Sequence, residues 1–86
     1  MTPGAWSARL SPHASKTLAE LPPDVQEMTR DVLDIASRAP WSWPQWDPTD
    51  VEGEDLRQAS VGPLTVLYWI NRAHEHLYVL DIVWAG

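Results

Sequence analysis

Residues 62–83 read GPLTVLYWINRAHEHLYVLDIV. Two runs rich in β-branched, aromatic and aliphatic residues flank a short polar segment, Asn71 to Glu75, which is the pattern of a long β-hairpin. This hairpin is expected to be the centre of the fold. Alternation along its first strand sets Leu64, Val66, Tyr68 and Ile70 on one face and Thr65, Leu67, Trp69 and Asn71 on the other. Its second strand, read with the same period, divides into His76, Tyr78, Leu80, Ile82 and Trp84 against Leu77, Val79, Asp81 and Val83. All four faces are mostly apolar, so both sides of the hairpin call for cover.

A chain of 86 residues with 44% hydrophobic and 21% charged residues is read as a single domain over 1–86, with one two-layer core. There is no cysteine, which excludes disulfide staples, thiolate metal sites and thiol nucleophiles. No stretch has the layout of a signal peptide or is apolar for long enough to span a bilayer, so the expected location is cytoplasmic, with no direct membrane contact. Twelve acidic against six basic residues give a formal charge of −6. That balance repels phosphate backbones and argues against binding of free nucleic acid, because the six cations are scattered rather than clustered.

Outward from the hairpin, residues 5–10 alternate and predict a first strand. Ser11-Pro12 then reads as a hydroxyl N-cap with proline at the first helical position, opening a helix over roughly 12–20. Pro22-Pro23 opens a second helix with Asp24 and Glu27 in its first turn. Its apolar face is expected to be Val25, Met28, Val32, Ile35, Ala36 and Ala39, and Ala39-Pro40 ends it. Residues 56–61 alternate as a further strand, and Gly62-Pro63 turns the chain into the hairpin. The order strand, helix, helix, strand, strand, strand predicts an α+β two-layer fold, β-α-α-β-β-β. A mainly antiparallel four-stranded sheet would pack on the helix pair.

Between helix and sheet lies Trp41-Ser42-Trp43-Pro44-Gln45-Trp46-Asp47-Pro48. Two prolines preclude a regular helix or a central strand, so this is expected to be an ordered loop. Its rings either close an open end of the core or form a binding surface, since tryptophan dominates contact hot spots and can stack on nucleobases. The acidic residues 50–55 read as a solvated turn.

The element order and the local motifs resemble the RelE/ParE superfamily of toxins from bacterial type II toxin–antitoxin systems. The matching pieces are Leu10-Ser11-Pro12-His13-Ala14 at the strand-to-helix start, Arg38-Ala39-Pro40 at the helix end, and Arg57 followed by Gly62 to Tyr68. Residues 77–83 are similar to the family's last strand. The resemblance implies a cognate antitoxin as partner, and as action either ribosome-dependent cleavage of mRNA without metal or cofactor, or ParE-like obstruction of DNA gyrase by contact. Cleavage needs cations on the phosphate and groups that move protons. Thr65 stands where the family motif carries an arginine, and Val83-Trp84-Ala85-Gly86 where it often carries His-Arg or Lys-Arg. Arg57 and Tyr68 are the motif's remaining polar residues and the candidate catalytic pair.

This pattern is closer to a toxin-like protein that binds a target than to a nuclease. A catalytically degenerate interaction module is the alternative, and an mRNA endoribonuclease a further one. The antitoxin is expected to lay a helix or strand over Trp41, Trp43, Trp46 and Trp69. Arg57 also has a structural reading, an ion pair with Glu54, Asp55 or Asp81, as does Tyr68, a core ring with its hydroxyl satisfied at the rim. His74 and His76 could share a face with Glu75 or Asp81 nearby, but a metal needs three or four ligands in strict geometry, and none is expected.

Overall fold

The computed structural model describes residues 6–86. Strand β1 (Ser7–Leu10) leads through helices α1 (Pro12–Glu20) and α2 (Pro23–Arg38) and a 3₁₀ turn, Pro40–Ser42, to β2 (Leu56–Val61), β3 (Leu64–Asn71) and β4 (His76–Trp84). The sheet order is β1-β4-β3-β2. The three last strands are antiparallel neighbours, as expected of a meander. β1 pairs with β4 in parallel, because the two helices carry the chain back to the other end of the sheet before β2 begins. Of the first strand expected over 5–10, Ala5 lies outside the described residues.

Ser11 joins the layers. Its hydroxyl oxygen accepts from the Ala14 amide at 3.0 Å, capping α1, and its hydroxyl donates to the Leu80 carbonyl at 3.1 Å; its own amide donates to Val79 O at 2.9 Å. The turn between β2 and β3 is the two-residue loop Gly62-Pro63. Gly62 sits there at φ +57°, a conformation glycine adopts without steric cost and one the primed hairpin turns require.

Two apolar stripes differ from their sequence reading. On α2 the buried residues are Val25, Thr29, Val32, Leu33, Ala36 and Ser37, while Ile35 is 53% exposed. Thr29 and Ser37 can face the core because their hydroxyls donate to the Val25 and Asp34 carbonyls, each at 2.8 Å. Polar by type, both residues fall outside the stripe that the sequence predicts, which is rotated away from the core.

On β4 strict alternation fails. The register with β3 slips between Leu67 and Tyr68, so Asp81 pairs with Leu67 while Val79 pairs with Tyr68, and Leu80 is the extra residue of a bulge. The buried face therefore takes Leu77 and Val79 before the bulge and Ile82 after it. The open face takes His76, Tyr78, Asp81 and Val83. Leu80's carbonyl, freed from the ladder, is the one Ser11 satisfies. The core between sheet and helices is built on the buried residues Leu64, Val66, Tyr68 and Ile70 of β3, Leu77, Val79 and Ile82 of β4, and the α2 stripe.

Candidate functional site

Arg57 and Tyr68 are paired across β2 and β3, which places both on the face turned toward the helices. Tyr68 has no exposed surface, and its hydroxyl donates to the Pro40 carbonyl at 2.6 Å. Burial pushes its phenol up to about 12, countered in part by the Arg57 charge. Arg57 does not make the expected ion pair. Its Nε donates to the backbone carbonyl of Glu54 at 2.8 Å, and its terminal nitrogen donates to the carbonyls of Trp43 at 2.9 Å and Trp41 at 3.5 Å. The guanidinium thus gathers both arms of the loop over residues 41–55, and Tyr68 fixes the loop's root.

The same loop covers part of the exposed edge of β2. Gln45 bridges Arg57 in antiparallel fashion, the Gln58 amide donates to Pro44 O at 3.0 Å, and the Trp46 amide donates to Leu56 O at 2.9 Å. An edge strand with free backbone groups invites pairing, and this strap occupies those groups along the first half of β2.

Arg72, in the β3–β4 loop, closes the other side. It donates twice to the Asp55 carboxylate, at 2.9 and 2.7 Å, and lies 4.9 Å over the Trp41 ring. Trp41 Nε1 donates to the same carboxylate at 3.1 Å, and its ring meets Trp6 edge-on with centroids 5.5 Å apart. The Arg72 hydrogen bonds, helped by Trp41, hold the Asp55 carboxyl below the usual carboxylate range. A group shifted down contributes stability above its unfolded pKa and loses it as pH falls through its folded value. Arg72→Ala is therefore expected to lower Tm by a few degrees at neutral pH and by less in acid, which thermal melts across pH would show. An equal loss at every pH would contradict the role given to this pair.

On the opposite, open face the register assembles a row that alternation alone did not reveal. Arg9 pairs with Tyr78, Tyr78 with Trp69, and Trp69 with Leu56. The bridge at Gln45–Arg57 sets Trp46 beside Leu56. Four adjacent positions, Tyr78, Trp69, Leu56 and Trp46, thus cross the sheet at right angles to its strands. Trp69 and Trp46 are 45% and 53% exposed, enough for a partner to reach both rings. The structure places the four tryptophans expected to bind a partner in different surroundings. Trp46 and Trp69 share the open face, Trp41 is held under Arg72, and Trp43 packs against the core with its Nε1 buried and unpaired.

Among the described residues, Arg9 is the one cation that strand register places on this face. Thr65 lies here too, its hydroxyl 3.1 Å from that of Ser60. Asp81 meets His13 Nε2 at 2.9 Å rather than completing a set with His74 and His76, whose rings stack on each other with centroids 6.1 Å apart. No group of three or more metal-ligating side chains is found among the described residues. Tyr78, Leu56 and Arg9 lie in no motif that marks them as site residues in the sequence. The loop of residues 72–75 between Asn71 and His76 was the available signal, because it pairs Trp69 with Tyr78 once the register is counted back from it.

No protein-family profile matches the sequence, and no curated protein does either. Solved structures do match. A chain of the toxin–antitoxin complex RelBE2 from Mycobacterium tuberculosis superposes with a TM-score of 0.75 at 22% identity, covering 93% of this chain and 98% of that one. The isolated E. coli RelE toxin gives 0.80 at 14% identity, over 95% and 86% of the two chains. A chain of the archaeal RelE–RelB complex from Pyrococcus horikoshii gives 0.62 at 20%, over 95% and 97%. The fold is that of the RelE/ParE-like toxins, as the sequence motifs implied.

Proposed function

We propose that this chain is the toxin-like component of a type II toxin–antitoxin pair, working in the cytoplasm, and that it acts by binding a target rather than by cleaving RNA. The observation that carries the reading is the chemistry of the open sheet face. It offers a row of aromatic and aliphatic side chains with one cation at its end, where phosphate cleavage needs several cations and a proton-moving pair.

Arg57 and Tyr68, the motif residues retained in the sequence, serve the loop over 41–55. Tyr68's proton is held on a buried carbonyl and its phenol is shifted away from neutrality, so it is poorly placed to move protons at a substrate. Two of the three similar chains come from complexes of a toxin with its antitoxin, which favours an antitoxin as one partner of this chain. DNA gyrase or the ribosome is the class of target to test.

The test is direct. Purified chain added to ribosomes programmed with a defined mRNA should leave the message intact at concentrations that arrest growth in cells. Site-specific cleavage there, lost in Arg57→Ala, would overturn the reading in favour of an endoribonuclease.

A further inference from the structure

We propose that the uncovered second half of β2 is a self-association edge, on which two copies of this chain pair antiparallel about a two-fold axis at Ser60. Their two four-stranded sheets then run on as one. The contact uses none of the aromatic row on the open face, so it stands or falls apart from the toxin reading.

β2 lies at the edge of the sheet. In an antiparallel ladder alternate residues turn their amide and carbonyl toward the neighbouring strand, and those between turn them outward. The strap shows which are which. Trp46 N donates to Leu56 O and Gln58 N donates to Pro44 O, so positions 56, 58 and 60 face outward. The strap reaches no further along the strand. Beyond it, the Gln58 carbonyl, the amide and carbonyl of Ser60 and the Gly62 amide form no backbone hydrogen bond among the described residues.

Those groups are self-complementary. With Ser60 opposite Ser60 of a second copy, each Ser60 amide faces the other's carbonyl, and each Gln58 carbonyl faces the Gly62 amide of the other copy. Every free amide of the stretch thereby gains an acceptor.

Length and charge select the occupant. The free stretch is bounded by the strap at Gln58 and by Pro63, which has no amide to give. A longer foreign strand collides with the strap, whereas a second copy brings an edge of the same length. A net charge of −6 makes two copies repel over most approaches. This corner is the exception, because no residue from Gln58 to Asn71, and none from Ile82 to Gly86, is acidic or basic. Ladder pairing carries it from Ser60 through Thr65 to Val83, and Val61 and Val83 are 41% and 51% exposed. In the joined edge Val61 lies against Ala59 of the other copy. The contact is small beside the roughly 800 Å² per partner of a stable interface, so the dimer is transient, with a Kd of about 0.1 mM.

The chain has no cysteine, so a single introduced thiol reports the contact. Residues paired as the two Ser60 positions are lie about 5.5 Å apart at Cα, within the range of about 4.4–6.8 Å that a disulfide spans. Under mild air oxidation at about 0.2 mM protein, Ser60→Cys should cross-link at least about tenfold faster than Ser15→Cys, which sits at an exposed position of α1. In sedimentation from about 10 to 500 µM, wild type and Ser60→Ala should self-associate. Ser60→Pro removes the outward amide, at a place where an edge strand tolerates proline, and Val61→Lys sets a charge in the contact. Both should stay monomeric with an unchanged circular dichroism spectrum.

Equal cross-linking at the two positions, a wild type that stays monomeric throughout, or self-association untouched by both Ser60→Pro and Val61→Lys overturns the proposal. So does a monomeric chain that binds an unrelated extended Thr-Val peptide and loses it in Ser60→Pro, which would assign the edge to a foreign strand.

Discussion

Replacing Tyr68 by phenylalanine is expected to lower the stability of the fold by about 2 kcal/mol, and replacing it by alanine by about 4 kcal/mol. The first substitution removes only the hydroxyl. Its cost exceeds that of an average hydrogen bond because the Pro40 carbonyl would be left in a buried place without its donor. The second adds the loss of a ring in contact with the centre of the core. For a domain of this size, 2 kcal/mol corresponds to a fall in Tm of roughly 10 °C.

The phenol also carries a pH signature. Its pKa is raised in the folded state, to about 12 from 10.0, so the stability it contributes is fully present below about pH 10 and is lost as pH climbs toward 12. Denaturant melts of wild type and Tyr68→Phe should therefore converge in strong base. A phenylalanine variant as stable as wild type at pH 7 would show that the Pro40 bond contributes nothing.

Arg57→Ala should cost about 2 kcal/mol, less than three hydrogen bonds from a charged donor would suggest, because the side chain is half in water. Its larger effect is local. With the guanidinium gone, the carbonyls of Trp41, Trp43 and Glu54 lose their common donor, and the strap over β2 is left with the Pro44–Gln58 and Trp46–Leu56 backbone bonds. Hydrogen exchange at the Trp46 and Gln58 amides should accelerate more than tenfold, while the β3–β4 ladder stays protected. Arg57→Lys should behave nearly as badly, since one ammonium cannot reproduce the guanidinium's fork. Unchanged exchange at Trp46 in both variants would mean that the strap holds without Arg57.

How far the fold could be read from sequence depended on where local rules met tertiary ones. Ser11-Pro12 marked the start of α1, Pro22-Pro23 the start of α2 and Gly62-Pro63 the hairpin turn, because capping and turn chemistry act within a few residues. The β4 faces could not be assigned this way. A bulge at Leu80 is set by the partner strand and by Ser11, far away in sequence, and its single extra residue reverses every later side chain. Thr29 likewise looks polar in sequence and becomes core once its hydroxyl is satisfied inside the helix.

The candidate site was half legible for the same reason. Residue type marked Arg57, Tyr68 and the tryptophans, but type says nothing of direction. Arg57 had two readings, a site residue and a partner of a carboxylate, and it meets carbonyls, because the strap brings backbone oxygens to it. Leu56 and Arg9 carry no chemical signal of their own. They matter only through the register that lines them up with Tyr78 and Trp69.

The most direct test of contact through the open face is induced expression in a bacterial host, following growth and message integrity with wild type beside Trp69→Ser. Trp69 is a surface residue away from the buried face, so the variant is expected to fold, which circular dichroism of the purified protein checks. Growth arrest by wild type with intact mRNA, relieved by Trp69→Ser, is the predicted result. Arrest that persists undiminished in folded Trp69→Ser, or no arrest from wild type that accumulates in solution, would contradict it.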